Sequence, residues 1–90
     1  GFSISDHKSA LQELMQAQGL PQPRYVIVQE DGPDHRKTFT VEVRIQCAGA
    51  GLVFRAQGAT KKSAEQTAAS LALEDLKRVA AAEAAKAPSE

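Results

Sequence analysis

Gly58-Ala59-Thr60-Lys61-Lys62-Ser63-Ala64-Glu65-Gln66-Thr67-Ala68-Ala69 is the stretch on which the reading of this chain turns. Gly58 breaks the strand-like run before it, Thr60 belongs to the residue types that cap helices, and alanine-rich helical sequence follows. The first turn of that helix then carries Lys61 and Lys62. A helix N-terminus already holds roughly half a positive charge and leaves its first N–H groups without intrahelical partners. Two cations at that end cost about 0.3–1 kcal/mol each if nothing answers them. Such a terminus suits an anion, and phosphate is the natural candidate. Taken alone, the same lysines read equally well as solvated surface, so the rest of the chain has to decide.

A chain of 90 residues makes one small domain with a modest core. The apolar fraction of 42% overstates that core, because sixteen residues are alanine and six of those lie in the last eleven positions. No bulky apolar residue follows Val79, so the folded unit is placed at residues 6–79. Residues 80–90 form a fraying helical or disordered tail, and Pro88-Ser89-Glu90 are expected to be disordered. Gly1-Phe2-Ser3-Ile4-Ser5 lacks an initiator Met and reads as a linker or the remnant of a longer chain. The 11 basic and 11 acidic residues cancel, which counts against a polyelectrolyte partner, since nucleic-acid binders are commonly basic. Distribution can outweigh the total, however: residues 43–64 hold Arg55, Lys61 and Lys62 but no acid, and Arg36-Lys37 follows His35. Cys47 is the lone cysteine, so no internal disulfide is possible and no oxidising compartment is implied. No apolar run is long enough for a membrane span and no signal-peptide pattern is present, which makes a cytoplasmic protein the expectation.

The pattern predicts a first helix over residues 6–18. Asp6 or Ser5 caps it, Ala10, Leu11, Leu14 and Met15 form its apolar stripe, and Gly19 with Pro21 and Pro23 ends it. Ser9, Gln12, Glu13 and Gln16 fall on its polar side. Tyr25-Val26-Ile27-Val28 is β-branched and aromatic and predicts a strand, closed by turn chemistry at Asp31-Gly32-Pro33-Asp34. In the second strand Phe39, Val41, Val43 and Ile45 alternate with Thr40, Glu42, Arg44 and Gln46, giving one apolar face and one wet face. Ala48-Gly49-Ala50-Gly51 reads as a flexible connection, and Leu52-Val53-Phe54 opens a third strand ending near Gly58. The last helix runs from about Lys61 to the low eighties, with Ala64, Ala68, Leu71, Ala72, Asp75 and Leu76 at helical spacing. The class is α+β, in the order α-β-β-β-α: a three-stranded antiparallel sheet with both helices on its apolar face.

That order resembles a double-stranded-RNA-binding domain, as do Gly58-Ala59-Thr60-Lys61-Lys62-Ser63-Ala64-Glu65-Gln66 and Ala68-Ala69. Lys8-Ser9-Ala10-Leu11-Gln12-Glu13, Pro23-Arg24-Tyr25 and Gly32-Pro33-Asp34-His35 are most similar to the C-terminal domain of bacterial ribonuclease III. The likeness covers roughly residues 6–78 through four segments in the right order. It implies three regions of contact with double-stranded RNA. The polar face of the first helix (Ser9, Gln12, Glu13, Gln16) would enter one minor groove. The loop between the first two strands (Gly32, Pro33, Asp34, His35) would enter the next. Lys61 and Lys62, with Thr60 beside them, would bridge the phosphates between. Physics agrees with that division, because A-form RNA presents 2′-hydroxyls in a wide, shallow minor groove and closes its major groove to side chains. Amides and a carboxylate suit hydroxyls and base edges, and cations suit phosphates. Ala59 and Glu65 stand where other members carry basic residues, which weakens the positive patch and implies modest, salt-sensitive affinity.

Two other function classes compete with that reading. His7, His35, Cys47, Glu13, Asp31 and Asp34 could serve an enzyme, but H-E-x-x-H, C-x-x-C and Gly-rich phosphate loops are absent, and the two histidines lack ligand spacing. No catalytic residue, metal ligand, cofactor or small-molecule ligand is therefore assigned to this chain. Magnesium and a homodimer are implied only for a parent ribonuclease III. The alternative is a stand-alone RNA-binding or protein-interaction domain of the same fold, against which the lysine pair counts.

Overall fold

The computed structural model describes residues 6–47 and 50–86. The expectations for residues 1–5, for the Ala48-Gly49 half of the second connection, and for Pro88-Ser89-Glu90 fall outside the described residues. The elements run α1 (His7–Ala17), β1 (Arg24–Asp31), a 3-10 turn (Asp34–Arg36), β2 (Thr38–Cys47), β3 (Ala50–Gly58) and α2 (Lys61–Lys86). The α-β-β-β-α order read from the sequence is thus the order of the molecule. The three strands form one antiparallel sheet in the order β1-β2-β3, with β2 central. Helix α2 lies on β2 and β3, and α1 packs against α2.

The core follows from the alternation in β2. Val41, Val43 and Ile45 are buried on the face toward the helices, joined by Leu11 and Met15 of α1, Ala56 of β3, and Ala64, Ala68, Ala69, Ala72 and Leu73 of α2. The buried alanines keep the α2 surface thin, so the helix axis can approach the sheet closely. Leu11 and Met15 are fully covered and contribute about 1.5–3 kcal/mol each by burial. They are the only fully buried side chains that anchor α1 among its described residues.

Three details depart from the sequence reading. Leu71 is 42% exposed, and Ala69 with Leu73 takes its place on the inner stripe of α2. With alanine at most candidate positions, either of two adjacent stripes satisfies the helical period, and the two leucines at 71 and 73 cannot arbitrate between them. Strand β1 continues through Gln29-Glu30-Asp31, past the apolar run. A register shift between Ile27 and Gln29 leaves Val28 unpaired and lets the polar residues stay in the ladder. The third departure concerns the outward face of β2, expected to be wet. Thr40 and Glu42 are buried there. Arg55 of β3 lies directly opposite Glu42 and donates through Nη2 at 2.5 Å, while Arg44 donates to the other carboxylate oxygen at 3.3 Å. The Arg55 hydrogen bonds hold the Glu42 carboxyl below its ordinary range, outweighing desolvation, with Arg44 adding to the effect. The carboxylate is covered by guanidinium groups rather than by core, which is why it can be buried and still charged.

Candidate nucleic-acid interface

Helix α2 begins where the sequence places it. The Thr60 side-chain oxygen accepts from the Ser63 N–H at 3.0 Å, and its carbonyl accepts from Ala64 N–H at 3.0 Å. A Cβ at position 58 would run into Ser63 Oγ and come within 2.6 Å of the Ala64 nitrogen. Glycine therefore lets the end of β3 abut the helix terminus directly. The Thr60 oxygen that the resemblance offered to RNA is already committed to this cap, though the residue is exposed. The amides of Lys61 and Lys62 have no acceptor among the described residues, and neither ammonium has an ion-pair partner there. Both lysines are exposed.

The two lysines diverge. Lys61 Nζ stands 5.9 Å from the centre of the Phe39 ring. Phe39 lines a groove shared by Ala59 and by Asp34, His35, Arg36 and Thr38 of the loop region between β1 and β2. Lys62 instead lines a groove with His7 of α1 and with Ser63, Gln66, Thr67 and Ser70. The start of α2 thus adjoins the loop on one side and the start of α1 on the other. Gly32 shapes that loop: its φ is 96°, and a side chain there would strike the Arg36 carbonyl. Pro33 follows in extended backbone, its carbonyl accepts from Arg36 N–H at 2.8 Å, and His35 sits exposed on the 3-10 turn. Lys37 is drawn back to Glu30 at 3.3 Å, whereas Arg36 has no ion-pair partner among the described residues. Arg36 is the cation that reading motifs alone leaves out of the site; the His35-Arg36-Lys37 run was its only signal.

On α1, Ser9, Gln12, Glu13 and Gln16 recur at i, i+3, i+4 and i+7, and all four are exposed on one face away from Leu11 and Met15. Ser9 is partly occupied, donating from Oγ to Asp6 at 2.7 Å. The amide and carboxylate groups of Gln12, Glu13 and Gln16 carry no hydrogen bond within the described residues.

The start of α1 contrasts with that of α2. Gln66 reaches across from α2, and its Oε1 accepts from both His7 N–H at 2.6 Å and Lys8 N–H at 3.2 Å. Asp6 accepts from Ser9 N–H at 3.4 Å and from Gln66 Nε2 at 3.1 Å. Those hydrogen bonds, Ser9 first and Gln66 next, lower the Asp6 pKa, and Lys62 adds a small pull. Lys8 pairs with Glu65 at 2.6 Å and stands 4.9 Å from the centre of the Tyr25 ring. Glu65, expected to weaken the positive patch, is therefore turned to Lys8 and makes no ion pair with Lys61 or Lys62. The Tyr25 hydroxyl beneath is buried with no hydrogen-bond partner among the described residues, and burial pushes its pKa up to about 12, helped by the Glu65 charge.

Among the described residues no group of three or more His, Cys, Asp or Glu side chains is placed to hold a metal ion, and no described helix is long and apolar enough to cross a membrane. The family model described as "Double-stranded RNA binding motif" matches residues 7–76. The chain belongs to the double-stranded RNA binding motif family. A protein named Ribonuclease 3 from Solibacter usitatus is 57% identical to this motif over 67 residues, covering 74% of the chain and 24% of that relative. Ribonuclease 3 of Ehrlichia chaffeensis is 51% identical over 71 residues, 79% of the chain and 30% of the relative. That of Rhodobacter capsulatus is 47% identical over 73 residues, 81% and 31%. The motif thus spans less than a third of the length of these relatives. Among solved structures, the solution structure of both dsRBDs of DRB4 with their linker superposes with a TM-score of 0.60 at 37% identity, covering 80% of this chain and 44% of that one.

Proposed function

We propose that this chain binds A-form double-stranded RNA with little dependence on sequence, as the substrate-binding module of a ribonuclease III. The observation that carries the reading is the start of α2 within a double-stranded RNA binding motif, where, among the described residues, the Lys61 and Lys62 amides lack acceptors and both ammonium groups lack ion-pair partners. Phosphates along a backbone there would accept from those amides and meet the two cations on either side. The loop with Gly32, Pro33 and His35 flanks that corner on one side. On the other, α1 packs against α2 and carries Ser9, Gln12, Glu13 and Gln16 exposed on one face, which supports their meeting the same duplex. This arrangement fits a duplex read at two minor grooves and the phosphates between them. Arg36 joins the phosphate contacts.

Relatives named Ribonuclease 3 support the parent enzyme. In this reading, cleavage, its magnesium and any homodimer belong to a part of the parent protein that this chain does not span, and the parent works in the cytoplasm. The test is a mobility shift with a duplex RNA of about 16–20 base pairs, the length that spans two minor grooves. Retention of the RNA, with poor competition by DNA of the same sequence, is the expected result. Equal competition by DNA would reduce the domain to a general polyanion binder, and no retention would leave the protein-interaction alternative.

A further inference from the structure

The contacts at the start of α1 do more than finish a helix. Its first three amides are all answered: His7 and Lys8 by Gln66, Ser9 by Asp6. Two of those acceptors' bonds come from a residue roughly sixty positions away in sequence, on the second turn of α2. Gln66 also donates to Asp6, the cap residue itself, at 3.1 Å. Its neighbour Glu65 holds Lys8 at 2.6 Å. Meanwhile α1 packs mainly on α2 rather than on the sheet, with Leu11 and Met15 as its buried anchors. Apolar contacts of that kind are non-directional and allow a helix to slide or roll. Hydrogen bonds to its terminal amides do not, because they fix both position and direction.

Gln66 lies four and five residues beyond Lys62 and Lys61 on the same helix, so it ties α1 to the turn that carries the lysines. We infer that Gln66 is a positioning residue for duplex binding: by clasping the N-terminus of α1, it sets the offset between the α1 polar face and the lysine pair. The inference rests on the RNA reading above and adds a residue that touches no RNA. A rigid duplex has fixed spacing between a minor groove and the neighbouring phosphates, so a protein surface that meets both gains only if its two parts are held at the matching distance.

The test uses the whole chain, a duplex RNA of about 20 base pairs, and the variants Gln66→Met and Gln66→Glu. Methionine keeps the length of the side chain but accepts nothing. Glutamate keeps oxygens for both amides, yet it loses the donor to Asp6, sets a second carboxylate against that of Asp6 and adds a negative charge beside Lys62. Binding is measured per folded molecule, with the fold checked by circular dichroism and amide exchange followed at His7 and Lys8. For Gln66→Met, the expected result is faster exchange at those two amides and an affinity lower by about tenfold, in the range of couplings between contacting groups. The slope of affinity against salt should stay at its wild-type value, since the lysines still meet phosphate. Gln66→Glu should also bind more weakly than wild type, since its carboxylate repels that of Asp6 and adds charge beside Lys62. Gln66→Met separates positioning from charge, because a purely electrostatic effect leaves that uncharged variant at the wild-type affinity. Affinity of Gln66→Met within twofold of wild type would overturn the clasp while leaving RNA binding intact. A wild-type chain that binds no duplex would overturn the RNA reading and this inference together.

Discussion

The two helix N-termini of this molecule meet the same electrostatic problem in opposite ways. At α1 the first amides are consumed internally by Gln66 and Asp6, and the one cation in the first turn, Lys8, is paired with Glu65. At α2, Thr60 answers the Ser63 amide, while the Lys61 and Lys62 amides and both ammonium groups stay open among the described residues. A helix end that is fully satisfied is a structural joint. One that is left open and loaded with like charge is destabilised until an anion arrives. The difference teaches where the fold spends its own polar groups and where it reserves them for a partner.

The largest expected effect comes from breaking the open end. Lys61→Ala with Lys62→Ala should weaken duplex RNA binding by about 10- to 100-fold, equally for all sequences, and lower the salt slope by about two. Electrophoretic titration at several salt concentrations reads both quantities; unchanged binding would remove the α2 terminus from the interface. Thr60→Ala tests the cap at the same end. It should cost about 1 kcal/mol of stability in urea unfolding, because the Ser63 amide loses its acceptor. Binding per folded molecule should change far less than in the lysine variant, and a comparable loss would show that the threonine meets RNA directly.

Acid sharpens the comparison from the other side. Asp6 at the closed end and Glu42 on the sheet both have folded pKa values below the ordinary 3.8 and 4.5. Their contribution to stability is therefore present above those ordinary values and is lost as the pH falls through the depressed folded ones. Thermal unfolding across that window should show Asp6→Ala and Glu42→Gln each with a shallower acid dependence than wild type. Slopes equal to wild type would mean that the hydrogen bonds of these carboxylates contribute no pH-dependent stability. The smallest effect is expected at Tyr25→Phe. Its hydroxyl is buried and has no partner among the described residues, so removing it should leave stability within about 1 kcal/mol of wild type, or raise it. It should also abolish any loss of stability specific to pH above 10, where the wild-type phenol, raised to about 12, resists ionisation only while folded. A loss well beyond that figure would reveal a partner for the hydroxyl.

The open terminus was legible in the sequence, and the closed one was not. Gly58, Thr60 and the lysine pair are neighbours along the chain, so capping rules and charge read them directly. The alternation of β2 and the stripe of Leu11 and Met15 are equally local signals. The Gln66 contacts join residues 58 to 60 positions apart, and no period or spacing in one sequence encodes such a pair. In sequence Gln66 stands only as part of a motif and Glu65 only as an acid beside the lysine pair; the fold makes Glu65 the partner of Lys8. The burial of Glu42 escaped for the same reason: alternation assigns a face, but the cross-strand arginine that covers the carboxylate is fixed by register. In sequence Arg36 and its neighbour Lys37 look identical in charge, and only the fold pairs one of them with Glu30.

Amide hydrogen exchange, followed residue by residue with and without a duplex RNA of about 16–20 base pairs, tests the contrast most directly. In the free protein the His7 and Lys8 amides should exchange more slowly than those of Lys61 and Lys62. On adding RNA, Lys61 and Lys62 should become protected while His7 and Lys8 keep their rates. Lys61 and Lys62 amides that are already protected in the free chain, or that stay unprotected in the complex, would contradict the account.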